Sequence, residues 1–598
     1  MARIISLCAL VVNMVHNAAA SGSTTTPFSY EMQTTTPSMN LSFSTLTNFT
    51  YTSYPSQTPA LTSMPPAWPT NYSEEAWSFL WMQVGPVQSP PFNSTVSPTP
   101  VASHVPPPLG FDSQITYGNL SSAKLPSDFI WGVADAAYQC EGAVKDEGRG
   151  PSIWDLLTHR VPGYVVDGAT GDIADLFYYT YPQDIARLAS FGIPYFYLSI
   201  AWSRIFPFGK GYVNEAGLKH YDHVFQTMQD YGVKPVVALY HWDTPLALMN
   251  EYNGWVSEEI VADFLAYAQL VMTRWDKYVP IWITVNEPQV YCSDYDTYPS
   301  GYWPQYGYTG LRAQYACGHN TLLAHAAVSN WYRNVFNGTG RISFKNSGGY
   351  NFANSTSSAN NATVKRAYDF DFGWFNSPVW LTGDYPTSMR DTLGDLLPNF
   401  TQSQSAMILN SCDFFAIDGY SSSVVYPMPG GIAACASNKS NPEWPTCAPS
   451  SQVTWSGWDV GFAASDRTNW LKAVPKGLRL LLGWLQDTYT GPKGKDIILS
   501  EFGFAVPFEG NRSTLADALY DQLRIDYFTG YLNAMLAARV EDGVNVTGSL
   551  AWGAFDDFEW TTGYLSRFGL QYVNYTTLER FAQASMFTFT DFFKQHMP

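Results

Sequence analysis

Short apolar segments typical of buried β-strands alternate with longer segments typical of helices from about Leu125 to the end of the chain. The strand-like segments are residues 129–133, 195–201, 235–240, 281–285, 341–345, 414–418, 496–500 and 547–552. Strands that alternate with helices form parallel sheets. Eight such units over roughly 470 residues predict an α/β fold, a (β/α)8 TIM barrel with long loops.

Helical periodicity is clear in residues 258–275, between the third and fourth predicted strands. The apolar residues there recur three or four positions apart, so that they share one face of a helix: Ile260, Phe264, Tyr267, Ala268 and Val271. Such a helix packs its apolar face on a sheet and supports the barrel prediction.

The chain ahead of residue 119 has a different composition. Residues 1–20 combine Arg3, an apolar run and three alanines at 18–20, which is typical of a signal peptide. Residues 21–118 are expected to be a disordered, Ser/Thr/Pro-rich tail, because 29 of the 50 residues in 21–70 are Ser, Thr or Pro. The aromatic patch at 74–81 is either a sticky part of this linker or a segment that docks on a partner or on the barrel. Residues 119–598 form the barrel domain.

The signal-like segment indicates a secreted, extracellular location, with association to a cell wall as one option. Thirteen Asn-x-Ser/Thr sequons agree with a secreted glycoprotein. Six cysteines remain after the signal segment, and Cys435 with Cys447 is the expected disulfide because they lie twelve apart in one loop. The other four either form two more bridges or stay buried: Cys140, Cys292, Cys317 and Cys412.

The net charge of −18 and the lack of a basic block argue against a nucleic-acid partner. After the first 20 residues no apolar run reaches the length of a membrane span, so stable membrane insertion is not expected. Aromatic residues make up 16% of the chain, which suggests aromatic surfaces for a small-molecule ligand. The oligomeric state is left open.

Polar and aromatic residues cluster where the predicted strands end. These positions meet at one mouth of a barrel, which is where barrel enzymes carry their chemistry. Glu287 and Glu501 follow the fourth and seventh strands, and the surrounding side chains suit a sugar: Gln139, His241, Trp242, Asn286, Trp552, Glu559 and Trp560. Two carboxyl groups across a sugar site predict glycoside hydrolysis, with no metal and no cofactor.

Seven segments in order carry a family resemblance: residues 129–132 (FIWG), 202–207 (WSRIFP), 241–243 (HWD), 286–288 (NEP), 383–386 (GDYP), 557–560 (DFEW) and 567–570 (RFGL). In these segments the chain resembles glycoside hydrolase family 1, the β-glucosidase family. The resemblance implies that residues 119–598 are a catalytic domain. It further implies a retaining mechanism with Glu287 as general acid/base and Glu501 as nucleophile, their carboxyls roughly 5–5.5 Å apart.

The resemblance also implies roles for the neighbouring residues. Tyr420 would donate to the nucleophile, and Asn286 would hold the sugar 2-hydroxyl. The other contacts to the sugar would come from Gln139, His241, Glu559 and Trp560, with Trp242 as a wall and Trp552 as a stacking floor. The substrate would be a neutral β-glucoside, such as an oligosaccharide or an aryl or alkyl glucoside; galactosides and fucosides stay open.

Three residues depart from the family pattern around the nucleophile. Tyr197 stands where the family has an Arg that pairs with the nucleophile, Phe502 replaces an Asn after it, and Asp418 replaces an Asn before Tyr420. Loss of the Arg is expected to weaken the hold on ionised Glu501. The alternative is therefore a catalytically impaired barrel that acts as a secreted carbohydrate-binding protein, and a third option is an interaction module on a mucin-like stalk.

Overall fold

A computed structural model describes residues 72–101, 104, 120–509, 512 and 514–598. Eight parallel strands form a closed barrel: β1 Ile130–Ala134, β2 Tyr195–Ser199, β3 Lys234–Ala238, β4 Ile281–Asn286, β5 Arg341–Ser347, β6 Phe415–Asp418, β7 Ile497–Glu501 and β8 Val546–Trp552. Each strand pairs with the next along the chain, and β8 closes on β1. The predicted barrel is confirmed, with each strand within two residues of its predicted start.

Close backbone approach fixes the pairing of β1 with β2. A Cβ at Gly132 would lie 1.9 Å from the carbonyl oxygen of Tyr195, its partner on β2. No larger residue fits there, so this glycine sets how near the first two strands come. Both strands are almost wholly buried, as expected for a parallel sheet covered by helices.

Helices surround the barrel, and the predicted helix at 258–275 is Glu259–Trp275 with the expected face buried. The other helices of the body are Ala137–Cys140, Ile153–Arg160, Phe177–Ser190, Trp202–Ile205, Glu215–Asp230, Leu246–Tyr252, Pro288–Asp294, Gly310–Trp331, Ser358–Asp371, Gly373–Asn376, Thr387–Leu393, Gln402–Ile408, Ile432–Ala436, Pro475–Leu485, Leu515–Leu519, Gln522–Val540 and Ala584–His596. Short strands outside the barrel are Tyr350–Ala353, Ser422–Val425, Ser450–Ser451, Phe462–Ala463, Lys472–Ala473, Gln571–Asn574 and Glu579–Ala582. In the described part of the chain, no helix is both long and apolar enough to cross a bilayer.

Residues 72–101 of the predicted tail are folded onto the body, which corrects the expectation of disorder for that part of 21–118. Residues 74–84 form a helix, Glu74–Val84, called here the N-terminal helix. Ser73 caps it by accepting from the Ala76 N–H, and Glu74 and Glu75 lie in its first turn, where acidic side chains favour the helix dipole. The predicted signal peptide and residues 21–71 lie outside the described residues.

The N-terminal helix packs on the barrel, so the aromatic patch at 74–81 docks on the main body. Leu80 and Trp81 are 0% and 2% exposed. The indole N–H groups of Trp77 and Trp81 both donate to the carbonyl of Arg149, at 2.9 and 3.1 Å. Residues beyond the helix continue across the body, where the Gln88 N–H donates to Asp172. Buried apolar area and satisfied polar groups hold this segment in place.

Two disulfides are present among the described residues. Cys435–Cys447 is the predicted bridge, and Cys292–Cys317 is a second one. Cys140 and Cys412 are buried free thiols. Of the four cysteines whose state was left open, two therefore form a bridge and two stay buried. The Cys292–Cys317 bridge ties the short helix that follows β4 to helix Gly310–Trp331.

Candidate active site

The predicted site residues meet at the C-terminal mouth of the barrel. Glu501 ends β7, Asn286 ends β4 with Glu287 directly after it, and Trp552 ends β8. Predicted site residues that follow different strands are in contact here. The barrel closure brings together residues that lie more than 400 positions apart, since Gln139 contacts Glu559.

Glu501 is held on both carboxylate oxygens. The Tyr420 hydroxyl donates to Oε2 at 2.9 Å, as the family resemblance implied. The Lys345 ammonium donates to Oε1. Glu501 is only 4% exposed, so both contacts act in a largely dry environment where they stabilise the ionised carboxylate strongly.

Lys345 is a site residue that the sequence reasoning missed. It lies in β5 with 0% exposure, its side chain in contact with Glu501 and 3.4 Å from Asp418. Its backbone carbonyl accepts from the N–H of Glu287 at 3.0 Å. The signal was present in the sequence: a lysine inside a buried strand is rare unless it is paired.

Glu287 has the environment of a general acid. It is 7% exposed and lies with Glu501 and Asp418 such that one carboxylate oxygen of each is within 4.8 Å of the others. Burial and then the charge of Glu501 raise the pKa of Glu287 to about 7, against the lowering effect of Lys345. Glu287 therefore holds a proton in the mildly acidic range.

Asp418, one of the three departures, belongs to this cluster of carboxyl groups. Ser500 donates to its Oδ1 at 2.8 Å. Burial and then the charge of Glu501 raise the pKa of Asp418 well above its ordinary value, while Lys345 opposes the rise. The Lys345 ammonium contacts Glu501 and lies 3.4 Å from Asp418, so it supplies positive charge to this set of carboxyl groups.

Tyr197, the second departure, belongs to a hydrogen-bonded group of three side chains with His241 and Asn286. Its hydroxyl lies 3.2 Å from Nδ1 of His241 and donates to Oδ1 of Asn286 at 3.4 Å. Asn286 Nδ2 in turn donates to Nε2 of His241 at 3.0 Å. Burial and Lys345 lower the pKa of His241 well below its ordinary value, so the imidazole is neutral. These hydrogen bonds fix the side-chain orientations of His241 and Asn286, two predicted sugar-binding residues.

Phe502, the third departure, points away from the site. Its side chain is 0% exposed and packs against Phe528 and Tyr531 of helix Gln522–Val540, with ring centroids 5.4 and 6.5 Å apart. Although Phe502 follows Glu501 in the sequence, its side chain therefore lies in the layer between the barrel and this helix.

Gln139 and Glu559 form a second polar pair at the mouth. Gln139 Nε2 donates to Glu559 Oε2 at 3.3 Å and to the carbonyl of Phe558 at 3.1 Å. Burial and then the charge of Glu501 raise the pKa of Glu559 to about 8, while contacts from Trp552 and Gln139 oppose this. An amide and a carboxyl placed side by side suit the hydroxyl groups of one sugar.

The three predicted tryptophans surround His241. Trp242 and Trp560 have ring centroids 4.7 Å apart, and His241 lies 5.8 Å from both Trp552 and Trp560. The indole N–H of Trp242 donates to the carbonyl of Asn286 at 3.1 Å. Aromatic walls of this kind bind the apolar faces of sugar rings while the polar edges take hydrogen bonds.

Backbone strain marks the same residues. Trp242, Glu287 and Trp560 have φ angles of 73°, 43° and 45°, in the left-handed region that non-glycine residues rarely adopt. Such conformations cost about 1–3 kcal/mol each and persist where packing enforces them, commonly at functional sites. Three predicted site residues share this feature, which is independent of their sequence motifs.

The sequence profile described as glycosyl hydrolase family 1 matches residues 121–598. Beta-glucosidase 34 of Oryza sativa subsp. japonica is 35% identical over 497 residues, covering 80% of this chain and 94% of the relative. Beta-glucosidase 1B of Phanerodontia chrysosporium is 36% identical over 488 residues, covering 79% of this chain and 86% of the relative.

Solved structures agree with this result. A family 1 β-glucosidase from Humicola insolens in complex with glucose superposes with a TM-score of 0.73 and 33% identity, covering 80% of this chain and 100% of that one. A rice β-glucosidase mutant in a covalent complex with Glc gives a TM-score of 0.71 and 33% identity, covering 79% and 98%. With its barrel, its site and these relatives taken together, the chain belongs to glycosyl hydrolase family 1.

Proposed function

We propose that this glycosyl hydrolase is an active, retaining β-glucosidase that removes terminal non-reducing β-D-glucosyl residues from oligosaccharides or from aryl and alkyl glucosides. One observation carries the proposal: Glu287 and Glu501 approach within 4.8 Å in opposite environments. Glu501 contacts a lysine cation, whereas the pKa of Glu287 is raised to about 7. A short separation is typical of retaining enzymes, because inverting enzymes leave room for a water between the carboxyls.

The first step forms a covalent bond. A Glu501 oxygen attacks the anomeric carbon, and the glycosidic C–O bond breaks with its electron pair going to the leaving oxygen. Glu287 delivers its proton to that oxygen, so the aglycone leaves as a neutral alcohol. Asn286, adjacent to Glu287, holds the sugar 2-hydroxyl in this proposal, and the pair Gln139 and Glu559 holds the hydroxyls at the far end.

The second step releases the sugar. Glu287, now ionised, takes a proton from water, whose oxygen attacks the anomeric carbon. The bond between that carbon and Glu501 breaks, and its electron pair returns to the Glu501 carboxylate. The covalent Glc complex of the rice relative supports such an intermediate here. Glucose in the Humicola insolens structure supports a glucosyl preference.

The alternative is a barrel that binds carbohydrate without cleaving it. Its main support was the loss of the cation expected at position 197, and Lys345 provides a cation to Glu501 instead. This contact favours the enzyme.

A secreted location is part of the proposal and is supported by the signal-like residues 1–20 and the thirteen sequons. N-terminal sequencing of protein from the culture medium tests it.

The test uses Glu501→Gly with azide and 2,4-dinitrophenyl β-D-glucoside. The variant should be inactive alone, and azide should restore cleavage by attacking from the side that the carboxylate vacates, giving α-glucosyl azide. Wild-type protein that binds glucose without turning over any β-glucoside would support the binding-protein alternative. Turnover by the wild type together with β-glucosyl azide, or with no rescue, would remove Glu501 from the nucleophile role.

A further inference from the structure

Lys345 contacts both proposed catalytic residues, one through its side chain and the other through its backbone. Its ammonium contacts Glu501, and its backbone carbonyl accepts from the N–H of Glu287. The side chain is 0% exposed, so the charge cannot be solvated and its energy depends on these partners. A lysine kept in such a place must be paired by carboxylates, and here the partner is the proposed nucleophile.

Aromatic and acidic neighbours complete the setting of this ammonium. Nζ lies 4.1 Å from the centroid of the Tyr197 ring, in cation–π geometry. It also lies 3.4 Å from Asp418. Two of the three departures from the family pattern, Tyr197 and Asp418, therefore touch Lys345. The third, Phe502, does not face the site.

From this arrangement we infer that Lys345 is a positioning residue that replaces the missing arginine: it orients the Glu501 carboxylate for attack and stabilises the carboxylate that returns when the glucosyl-enzyme is hydrolysed. Tyr197, Lys345 and Asp418 act as one unit, in which the cation has moved from β2 to β5. The tyrosine fills the vacated place with a ring that stacks on the ammonium. This inference rests on the proposed function of the site.

The charge balance of the reaction explains which step depends most on Lys345. In the first step Glu501 loses its negative charge to the new C–O bond, so the lysine pair becomes weaker. In the second step the same charge returns, and the ammonium stabilises it as the bond to the sugar breaks. Loss of Lys345 should therefore slow hydrolysis of the glucosyl-enzyme and make that intermediate accumulate.

Several other ionisable groups interact electrostatically with Glu501. They come from every part of the mouth: Tyr197, Glu287, Asp418, Tyr420 and Glu559. Lysine is the cation among these contacts, so its removal leaves carboxyls facing one another.

The experiment compares Lys345→Met with the wild type and with Lys365→Met, a control that removes a 75% exposed surface lysine. With 2,4-dinitrophenyl β-D-glucoside, kcat of Lys345→Met should fall by about 10²–10³-fold, the size expected for loss of one charge-stabilising contact. KM should fall as well, because the intermediate accumulates. The control should match the wild type.

Two further variants separate positioning from folding. Lys345→Met/Asp418→Asn removes the second buried acid together with the cation and tests whether any loss of folding comes from unpaired acids. Tyr197→Arg/Lys345→Met returns a cation to β2 and should recover at least ten-fold of the lost kcat. A lysine that served only as packing would give no rescue by an arginine on another strand and no fall in KM, and that result would overturn the inference.

A binding titration keeps this test separate from the proposed function. The probe is 1-deoxynojirimycin, a cationic imino sugar that pairs with an ionised carboxylate, measured by calorimetry between pH 4 and pH 8. If the wild type fails to turn over glucosides, the proposed function fails, and the titration still reports on Lys345. Identical affinity and pH dependence in the wild type and Lys345→Met would refute the role of the lysine.

Discussion

The pKa of Glu287 gives the sharpest quantitative test of the site. Burial and the charge of Glu501 raise it from 4.5 to about 7. This difference favours the protonated form by about 3 kcal/mol. At pH 6 about nine-tenths of the molecules then carry the proton that the leaving group needs, against about 3% for an ordinary glutamate.

The sign of the pH dependence follows from the role of the acid. Because Glu287 must be protonated, kcat/KM should be high below pH 7 and fall as pH rises through about 7. Glu287→Gln removes the titrating proton. For an alkyl β-glucoside, whose leaving oxygen needs protonation, kcat/KM should fall by about 10²–10⁴-fold.

The leaving group separates this role from general damage to the site. 2,4-Dinitrophenolate departs without a proton, so kcat/KM for its β-glucoside should stay within about ten-fold of the wild type in Glu287→Gln. The basic limb near pH 7 should disappear. If the limb persists in the variant, or if both substrates lose activity equally, Glu287 is not the general acid.

Three further predictions concern the surroundings of the site. Trp81→Ala should lower the free energy of unfolding by about 3–5 kcal/mol in urea titrations, because Trp81 is 2% exposed. The control Met82→Ala, at a 58% exposed position, should leave the free energy of unfolding unchanged. Equal effects of the two variants would contradict docking of the N-terminal helix. Cys292→Ser should cost about 3 kcal/mol and speed proteolysis between Cys292 and Cys317, since the bridge closes a 25-residue separation; an unchanged cleavage rate would refute this. Phe502→Asn should lower the melting temperature without raising kcat/KM, because it places an amide in an apolar layer; higher activity at unchanged melting temperature would show that Phe502 acts on Glu501.

The eight strands were predictable from the sequence because buried parallel strands are short apolar runs separated by helical periodicity. The positions of the proposed catalytic pair at the barrel mouth were predictable for the same reason, since Glu287 and Glu501 directly follow or end such runs. The N-terminal helix was harder to predict. Its Ser-Glu-Glu start is a capping signal, but the surrounding Ser/Thr/Pro composition favours disorder, and the helix is stable only against the groups of the barrel that bury Trp81.

The sequence by itself determined the barrel, its family and the residues at the strand ends, because periodicity and motif order are local properties of the chain. It also showed that the cation expected at position 197 is absent. Only the tertiary structure decided the consequence, since Lys345 reaches Glu501 across 156 positions of sequence and stacks on Tyr197 from another strand. Residues on different strands of a closed barrel face the same site, so a cation on β5 can take the place of one on β2. No pattern along the sequence shows such a replacement.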